Sequence, residues 1–207
     1  MKALLINGSP HPKGCTRRGL EEVEKVLNEQ GIETQWVDAG TKDIRGCIAC
    51  NYCRTHNKCV FNDIVNETAP LLAEADAVVV GTPVYYAGPN GQLHSYLDRL
   101  FYSTMGCVNK TMKVGATVVS SRRAGSTSAF DDINKYFTIS SMPVASSTYW
   151  NEVHGFTPEQ VEQDAEGLQT MRNLGKNIAF LVKAIQGQKE KEGLPEQERG
   201  SFTNFIK

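Results

Sequence analysis

Four cysteines crowd one short segment: Cys47, Cys50, Cys53 and Cys59 follow the spacing C-x2-C-x2-C-x5-C. Four thiolates so close together suit a [4Fe–4S] cluster, which takes four cysteine ligands at short spacings. The bacterial ferredoxin run is C-x2-C-x2-C-x3-C-P; here the last gap is longer and Val60 stands in place of the proline. A tetrahedral zinc site is a second use of four sulfurs. Free, partly buried thiols in a loop beside a partner subunit are a third. Cys107 reads as a packing residue.

Three other segments hold polar groups between glycines and prolines. The first is Gly8-Ser9-Pro10-His11-Pro12-Lys13-Gly14-Cys15-Thr16, just ahead of an amphipathic stretch. A helix starting there offers unpaired N–H groups and a positive dipole end. Ser9 and Thr16 add hydroxyls and Lys13, Arg17 and Arg18 add charge, a set that suits a phosphate. Gly14 is followed by Cys15 rather than Lys and Ser/Thr, so this is not a P-loop; nor is it G-x-G-x-x-G, which disfavours a dinucleotide bound there. An ordinary capped strand-to-helix turn would use the same residues. The second segment, Gly81-Thr82-Pro83-Val84-Tyr85-Tyr86-Ala87-Gly88-Pro89, carries two tyrosines on a rigid turn. They can pack against a flat heteroaromatic ligand or simply cover the core. The third, Ser120-Ser121-Arg122-Arg123-Ala124-Gly125-Ser126, suits an anionic or polar ligand, or is a solvated loop.

Each segment sits where a strand should end. The apolar runs predict strands at 2–6, 32–37, 76–81, 113–119 and 142–147, and the periodicity predicts helices at 16–30, 63–73, 90–103 and 126–137. Pro70 suggests a break in the second helix. Thr157-Pro158-Glu159-Gln160 predicts a capping box opening a last helix, whose stripe runs from Leu168 to Ile185. Residues 39–62 form a cysteine-containing loop and residues 186–201 read as charged and turn-rich. Strand and helix alternate about five times, which implies an α/β three-layer sandwich with a parallel sheet. The expected order is flavodoxin-like, 2-1-3-4-5, with its ligand site at the carboxyl ends of the strands. The expected organisation is one domain over 1–187, with 39–62 inserted, and a tail over 188–207.

Composition narrows the partners. The 207 residues carry 22 Lys and Arg against 23 Asp and Glu, for a net charge of −1. That balance argues against a nucleic-acid surface or a polybasic membrane patch. No apolar run approaches the ~20 residues of a membrane helix, and Met1 to Ile6 is too short for a signal peptide. The expectation is a cytoplasmic protein, whose six cysteines are thiols, metal ligands or redox groups rather than a disulfide frame.

Taken together, these segments resemble the flavodoxin-like NAD(P)H-dependent FMN reductases and their iron–sulfur flavoprotein relatives. The resemblance rests on Asn7-Gly8-Ser9-Pro10 through Gly14-Cys15-Thr16, Gly81 through Tyr86, Gly91-Gln92-Leu93, Leu97-Asp98-Arg99, Ser121-Arg122-Arg123 and Thr203-Asn204-Phe205-Ile206. It implies FMN, with its phosphate at Ser9, Gly14, Cys15 and Thr16 and beside His11 and Lys13. It further implies the isoalloxazine along Pro83, Val84, Tyr85 and Tyr86, closed on the other side by Ser121, Arg122, Arg123 and Gly125. The family usually has Arg at the place of His11 and Asn at that of Cys15. An imidazole carries less charge than a guanidinium near neutral pH, which implies a weaker phosphate grip unless Lys13 or Arg17 compensates.

The implied activity is electron transfer from NAD(P)H through FMN to a small-molecule acceptor: a quinone, an aromatic compound, a metal ion or a second flavin. No side chain stands out as acid, base or nucleophile, and Arg122 and Arg123 suit the 2′-phosphate of NADPH. One alternative is an electron carrier with a [4Fe–4S] cluster and a ferredoxin as donor; another is a flavin redox sensor whose thiols are the output. The resemblance also implies a homodimer or homotetramer, consistent with the apolar residues Phe202, Phe205 and Ile206 near the end of the chain.

Overall fold

The apolar run near the N-terminus forms strand β1 (Lys2–Asn7), and its side chains divide by parity. Ala3 and Leu5 enter one buried cluster, Leu4 and Ile6 another. Strand β3 (Ala77–Pro83) repeats the division, with Ala77 and Val79 on the first face and Val78 and Val80 on the second. Strands apolar on both faces belong at the centre of a covered parallel sheet. That is the arrangement in this computed structural model, which describes residues 1–198, 200–201 and 203–206. With β2 (Glu33–Asp38), β4 (Val114–Ser121) and β5 (Glu152–His154), the strands form an all-parallel sheet ordered β2-β1-β3-β4-β5, the flavodoxin-like order expected.

The connections are α1 (Cys15–Glu29), the single turn α2 (Tyr52–His56), α3 (Ile64–Glu74), α4 (Gly91–Ser103), α5 (Ser126–Thr138), the short α6 (Pro158–Val161) and the long α7 (Ala165–Glu192). Leu20, Val23 and Leu27 of α1 pack with Met171, Leu174 and Ile178 of α7 on one side of the sheet. Leu72 of α3, Leu93 and Leu97 of α4, and Ile133 and Phe137 of α5 cover the other. Among the described residues, no helix is long and apolar enough to cross a membrane.

Four expectations change. The strand predicted at 142–147 is not one. Met142 and Ala145 are buried, and the segment bonds β4 only around Gly115, at Pro143 and Ala145. Pro143 has no N–H for a ladder, and the chain leaves the sheet before returning as β5. Only Val153 of Glu152–His154 is apolar, so the true strand carries no signal in its composition. The capping box at Thr157 does not form: Thr157 makes no side-chain cap bond, and Gln160 Oε1 reaches one residue further, accepting from the Phe156 N–H at 2.7 Å. Asp164 ends that turn and starts α7, accepting from the Gly167 N–H at 2.9 Å and, through its other oxygen, from the His154 N–H at 2.7 Å. Pro70 lies inside α3 without ending it, because Val65 and Leu72 anchor the helix on either side. Lastly, α7 continues to Glu192 through the stretch read as turn-rich, with Gln186–Glu190 and Gln188–Glu192 side-chain bonds one turn apart. Phe202 lies outside the described residues.

Candidate functional site

In a doubly wound sheet the ligand crevice lies at the carboxyl ends of the strands, where the strand order reverses. Here the reversal falls between β1 and β3, and the turns after β1, β3, β4 and β5 are bonded into one rim. The Gly8 N–H donates to the Gly81 carbonyl (2.8 Å), the Val84 N–H to Ser120 (3.0 Å) and the Gly155 N–H to Ser121 (3.1 Å). Thr16 and Ser120 share a buried hydroxyl–hydroxyl bond of 2.7 Å. The turn after β2 presses on the first turn: a Cβ on Gly40 would stand 2.3 Å from the Gly8 carbonyl oxygen, so only glycine fits.

The first turn leaves an open helix start. Gly14 caps α1 with no side-chain bond, and among the described residues the N–H groups of Cys15, Thr16 and Arg17 have no acceptor. Ser9 is buried; its Oγ accepts from the His11 N–H at 3.1 Å, which leaves its own proton to donate. Several side chains named from the sequence turn elsewhere. Cys15 Sγ faces the Gly155 carbonyl at 3.5 Å, and burial pushes its thiol pKa up. Thr16 is committed to Ser120. Arg17 stacks on Trp36, its Cζ 3.4 Å from the ring centre, and bonds Glu21. Arg18 pairs with Glu22 and Glu162. What Cys15 and Thr16 offer an anion is therefore backbone, while His11 and Lys13 remain exposed at the mouth.

The second turn is a two-residue hairpin in which Tyr85 and Gly88 exchange backbone bonds of 2.9 and 3.0 Å. Its central residues, Tyr86 and Ala87, hold φ of 50° and 60°, the left-handed pair that such turns normally fill with Asn and Gly. Each L-residue so held costs about 1–2 kcal/mol, and strain of this kind persists where surroundings enforce it. Gly125 supplies that enforcement. At φ +90° its Cα lies so near the hairpin that a Cβ would meet Ala87 Cα at 2.9 Å and Val84 Cγ1 at 3.1 Å. Both tyrosines are exposed rather than covering the core. In the third turn Ser121 Oγ is buried with no partner, while Arg122 and Arg123 are exposed. The turn after β5, which carried no signal in the sequence, joins the rim through Gly155 and Phe156; the Phe156 ring lies 5.9 Å from the Arg122 guanidinium. The unpaired N–H groups of α1 and the orphaned Ser121 hydroxyl fit a phosphate-tailed flat ligand such as FMN.

The cysteine segment is held by α4. Tyr102 OH accepts from Arg54 and donates to Asn51, while Asn66 clamps the backbone of Cys59 on both sides. Ala49, Asn51 and Asn57 all adopt positive φ and reverse the chain between thiols. All four cysteines line one small cavity of about 20 Å³, with Phe61 and Arg99. Burial pushes the Cys53 thiol pKa up, and the nearby sulfurs of Cys47, Cys50 and Cys59 add to the effect. Among the described residues no three metal-ligating side chains converge on a single ion. Four soft donors around one cavity do fit the chemistry of an iron–sulfur cluster.

Arg99, named from the sequence only within the Leu97-Asp98-Arg99 motif, has no role assigned there. It is 2% exposed and donates from Nε and Nη2 to Cys59 Sγ at 3.3 and 3.2 Å. It also bonds both carboxylate oxygens of Asp63 at 2.8 and 2.9 Å. The available signal was a charge lying in the stripe of Tyr96, Leu100 and Ser103.

Known proteins share both sequence and fold. The sequence profile of the NADPH-dependent FMN reductase family matches residues 1–157. An iron–sulfur flavoprotein of Methanocaldococcus jannaschii is 35% identical over 192 residues, covering 90% of this chain and all of the relative. Another, from Methanosarcina thermophila, is 28% identical over 193 residues, covering 92% of this chain and all of the relative. Among solved structures, RosB with a bound 8-demethyl-8-formylriboflavin-5′-phosphate intermediate superposes with a TM-score of 0.71 at 15% identity, over 100% of this chain and 92% of that one. An archaeal flavodoxin gives a TM-score of 0.60 at 20% identity, over 88% of this chain and 99% of that one. The two structural neighbours speak to the fold; the profile and the full-length relatives establish that the chain belongs to the flavodoxin-like NADPH-dependent FMN reductase and iron–sulfur flavoprotein family.

Proposed function

We propose that the protein is an FMN-dependent oxidoreductase. It takes electrons from NAD(P)H and delivers them to a small-molecule acceptor, with a [4Fe–4S] cluster on Cys47, Cys50, Cys53 and Cys59 as a second redox group. The observation that carries this reading is the rim itself: four strand-end turns bonded together around the uncapped start of α1. FMN held there would supply the redox chemistry, taking one hydride, that is two electrons, at a time and able to pass them on one by one, while the protein supplies position and electrostatics.

The chain's own groups divide that work. The N–H groups of Cys15, Thr16 and Arg17, with the Ser9 hydroxyl, would hold the phosphate; His11 and Lys13 would balance its charge from the solvent side. Pro83, Val84, Tyr85 and Tyr86 would line the ring, at an angle set by the Tyr85–Gly88 bonds. The Ser121 hydroxyl would donate its proton to an acceptor on the ring's edge. Arg122 and Arg123 are exposed beside the rim, and two guanidinium groups there would suit a 2′-phosphate, which supports NADPH as donor.

A second reading, an electron carrier with a ferredoxin as donor, draws support from the Arg99 bonds to Cys59, since hydrogen bonds to cluster sulfurs tune the potential. Exposed Phe205 and Ile206, at 94% and 82% exposure, support assembly into a homodimer or homotetramer.

Protein purified without oxygen and assayed for flavin, iron and NADPH oxidation tests the reading. One FMN and about four irons per chain, with prompt NADPH oxidation, are expected. A loaded protein that ignores NADPH but accepts electrons from reduced ferredoxin would favour the carrier. A colourless preparation that takes up no FMN supplied in excess would overturn both.

A further inference from the structure

A cavity of about 980 Å³ opens between the C-terminal half of α4, the 104–112 connection, the end of α5 and residues 194–197. None of its lining residues belongs to the turns after β1, β3, β4 or β5. Its room is that of a site for a small organic molecule. Phe101, Met105, Val108, Tyr136 and Ile139 make its apolar wall. The Phe101 and Tyr136 rings lie 5.4 Å apart at a tilt, giving aromatic faces on one side.

Lys110 in that wall is unaccounted for by the fold. It is only 7% exposed, yet among the described residues its Nζ makes no hydrogen bond and no ion pair. The contact it does have is the Phe101 ring, 5.9 Å from Nζ. Burial pushes its pKa down to about 8; Lys113 deepens the drop and Cys107 opposes it, with no carboxylate among the causes. Asp98 also lines the cavity, but its carboxylate accepts from Tyr136 OH at 2.5 Å. Nζ itself is not among the fully buried atoms, so this is a partly desolvated ammonium with no counter-charge among the described residues, open to an anion that enters the cavity.

We infer that this cavity binds a small aromatic anion, a carboxylate or phenolate, whose charge pairs with Lys110 and whose ring lies against Phe101 and Tyr136. A neutral ligand would leave the ammonium unpaired, and a cation would be repelled. The cavity shares Cys47 and Tyr102 with the pocket of the four thiols, so the anion would sit beside them. The inference does not rest on the flavin reading, because no rim residue contributes.

The test uses protein with FMN in excess, titrated by fluorescence with 8-anilino-1-naphthalenesulfonate, an aromatic anion, and with N-phenyl-1-naphthylamine, the same ring system without the charge. Wild type should show one saturable anion site per chain. Lys110→Met should weaken it at least tenfold and Lys110→Arg should keep it, while the neutral probe behaves alike in all three. Lys110→Met should melt no lower than wild type, since it removes a partly desolvated charge with no counter-charge among the described residues, so loss of binding will not mean loss of fold. Unsaturable anion binding, equal binding in Lys110→Met, or parallel loss of both probes would each overturn the inference. The titration reads the same whether or not FMN binds, which separates its failure from that of the flavin reading.

Discussion

At the scale of single residues, Arg99 carries the heaviest local burden. A guanidinium almost wholly out of water is tolerable only when its donors are met, and here Asp63 takes two bonds, Cys59 two and the Arg45 carbonyl one. Asp63 also caps α3 by accepting from the Val65 N–H, so one carboxylate ties a helix start, a buried cation and the fourth cysteine together. Removing one partner of a buried ion pair costs about 3–5 kcal/mol. Arg99→Met should therefore lower stability by about 3 kcal/mol in urea melts and reduce the iron retained on anaerobic purification. Arg99→Lys should recover only part of either, because an ammonium cannot reproduce the fork that reaches Asp63 and Cys59 at once. An unchanged melting curve in Arg99→Met would sink the assignment. The cysteines themselves were legible by spacing alone. Their support was not, since Arg99 lies forty positions from Cys59 and gives no local cue.

Among elements, the three named turns were readable because glycine, proline and hydroxyl residues gather where an apolar run stops. Their mutual contacts were not readable. Gly125 looks like an ordinary loop glycine, yet it holds the strained Tyr86–Ala87 pair against the end of β3. Gly125→Ala would place a methyl 2.9 Å from Ala87 Cα at a φ that L-residues avoid. A stability loss of about 1–2 kcal/mol and weaker FMN binding, read by fluorescence titration, should follow. Ala87→Gly should instead gain up to about 1 kcal/mol by relieving the left-handed alanine. If both variants melt like wild type, the hairpin is not held under strain. The misread fifth strand has a different cause. Met142 to Ala145 is apolar because it is buried, whereas Glu152 to His154 is a strand because the edge of β4 was left unpaired; burial and hydrogen bonding had separated.

For the molecule as a whole, the tail is the open element. Beyond Gly193 the described chain touches the body through a Ser141–Gln197 bond of 3.4 Å and through the wall it lends the large cavity. It ends with Phe205 and Ile206 facing outward. A chain ending at Leu194 should melt within about 2 °C of the full-length protein, a change below what ~1 kcal/mol produces at this size. Light scattering should show it as a monomer at concentrations where the full chain forms the proposed dimer or tetramer. An equal mass per chain for both would remove the tail from the proposed assembly. The sequence by itself determined four of the five strands, the order of the sheet and the kinds of groups at its rim. Alternating apolar runs leave a parallel strand few neighbours to choose from, and turn residues must stand where those runs stop. Only the tertiary structure decided which side chains face a ligand: Arg17 and Arg18 turned to their own partners, Cys15 and Thr16 offered backbone, and Arg99 and Lys110 were drawn inside. Side-chain direction depends on what packs against each residue from distant parts of the chain, and local pattern holds no record of those neighbours.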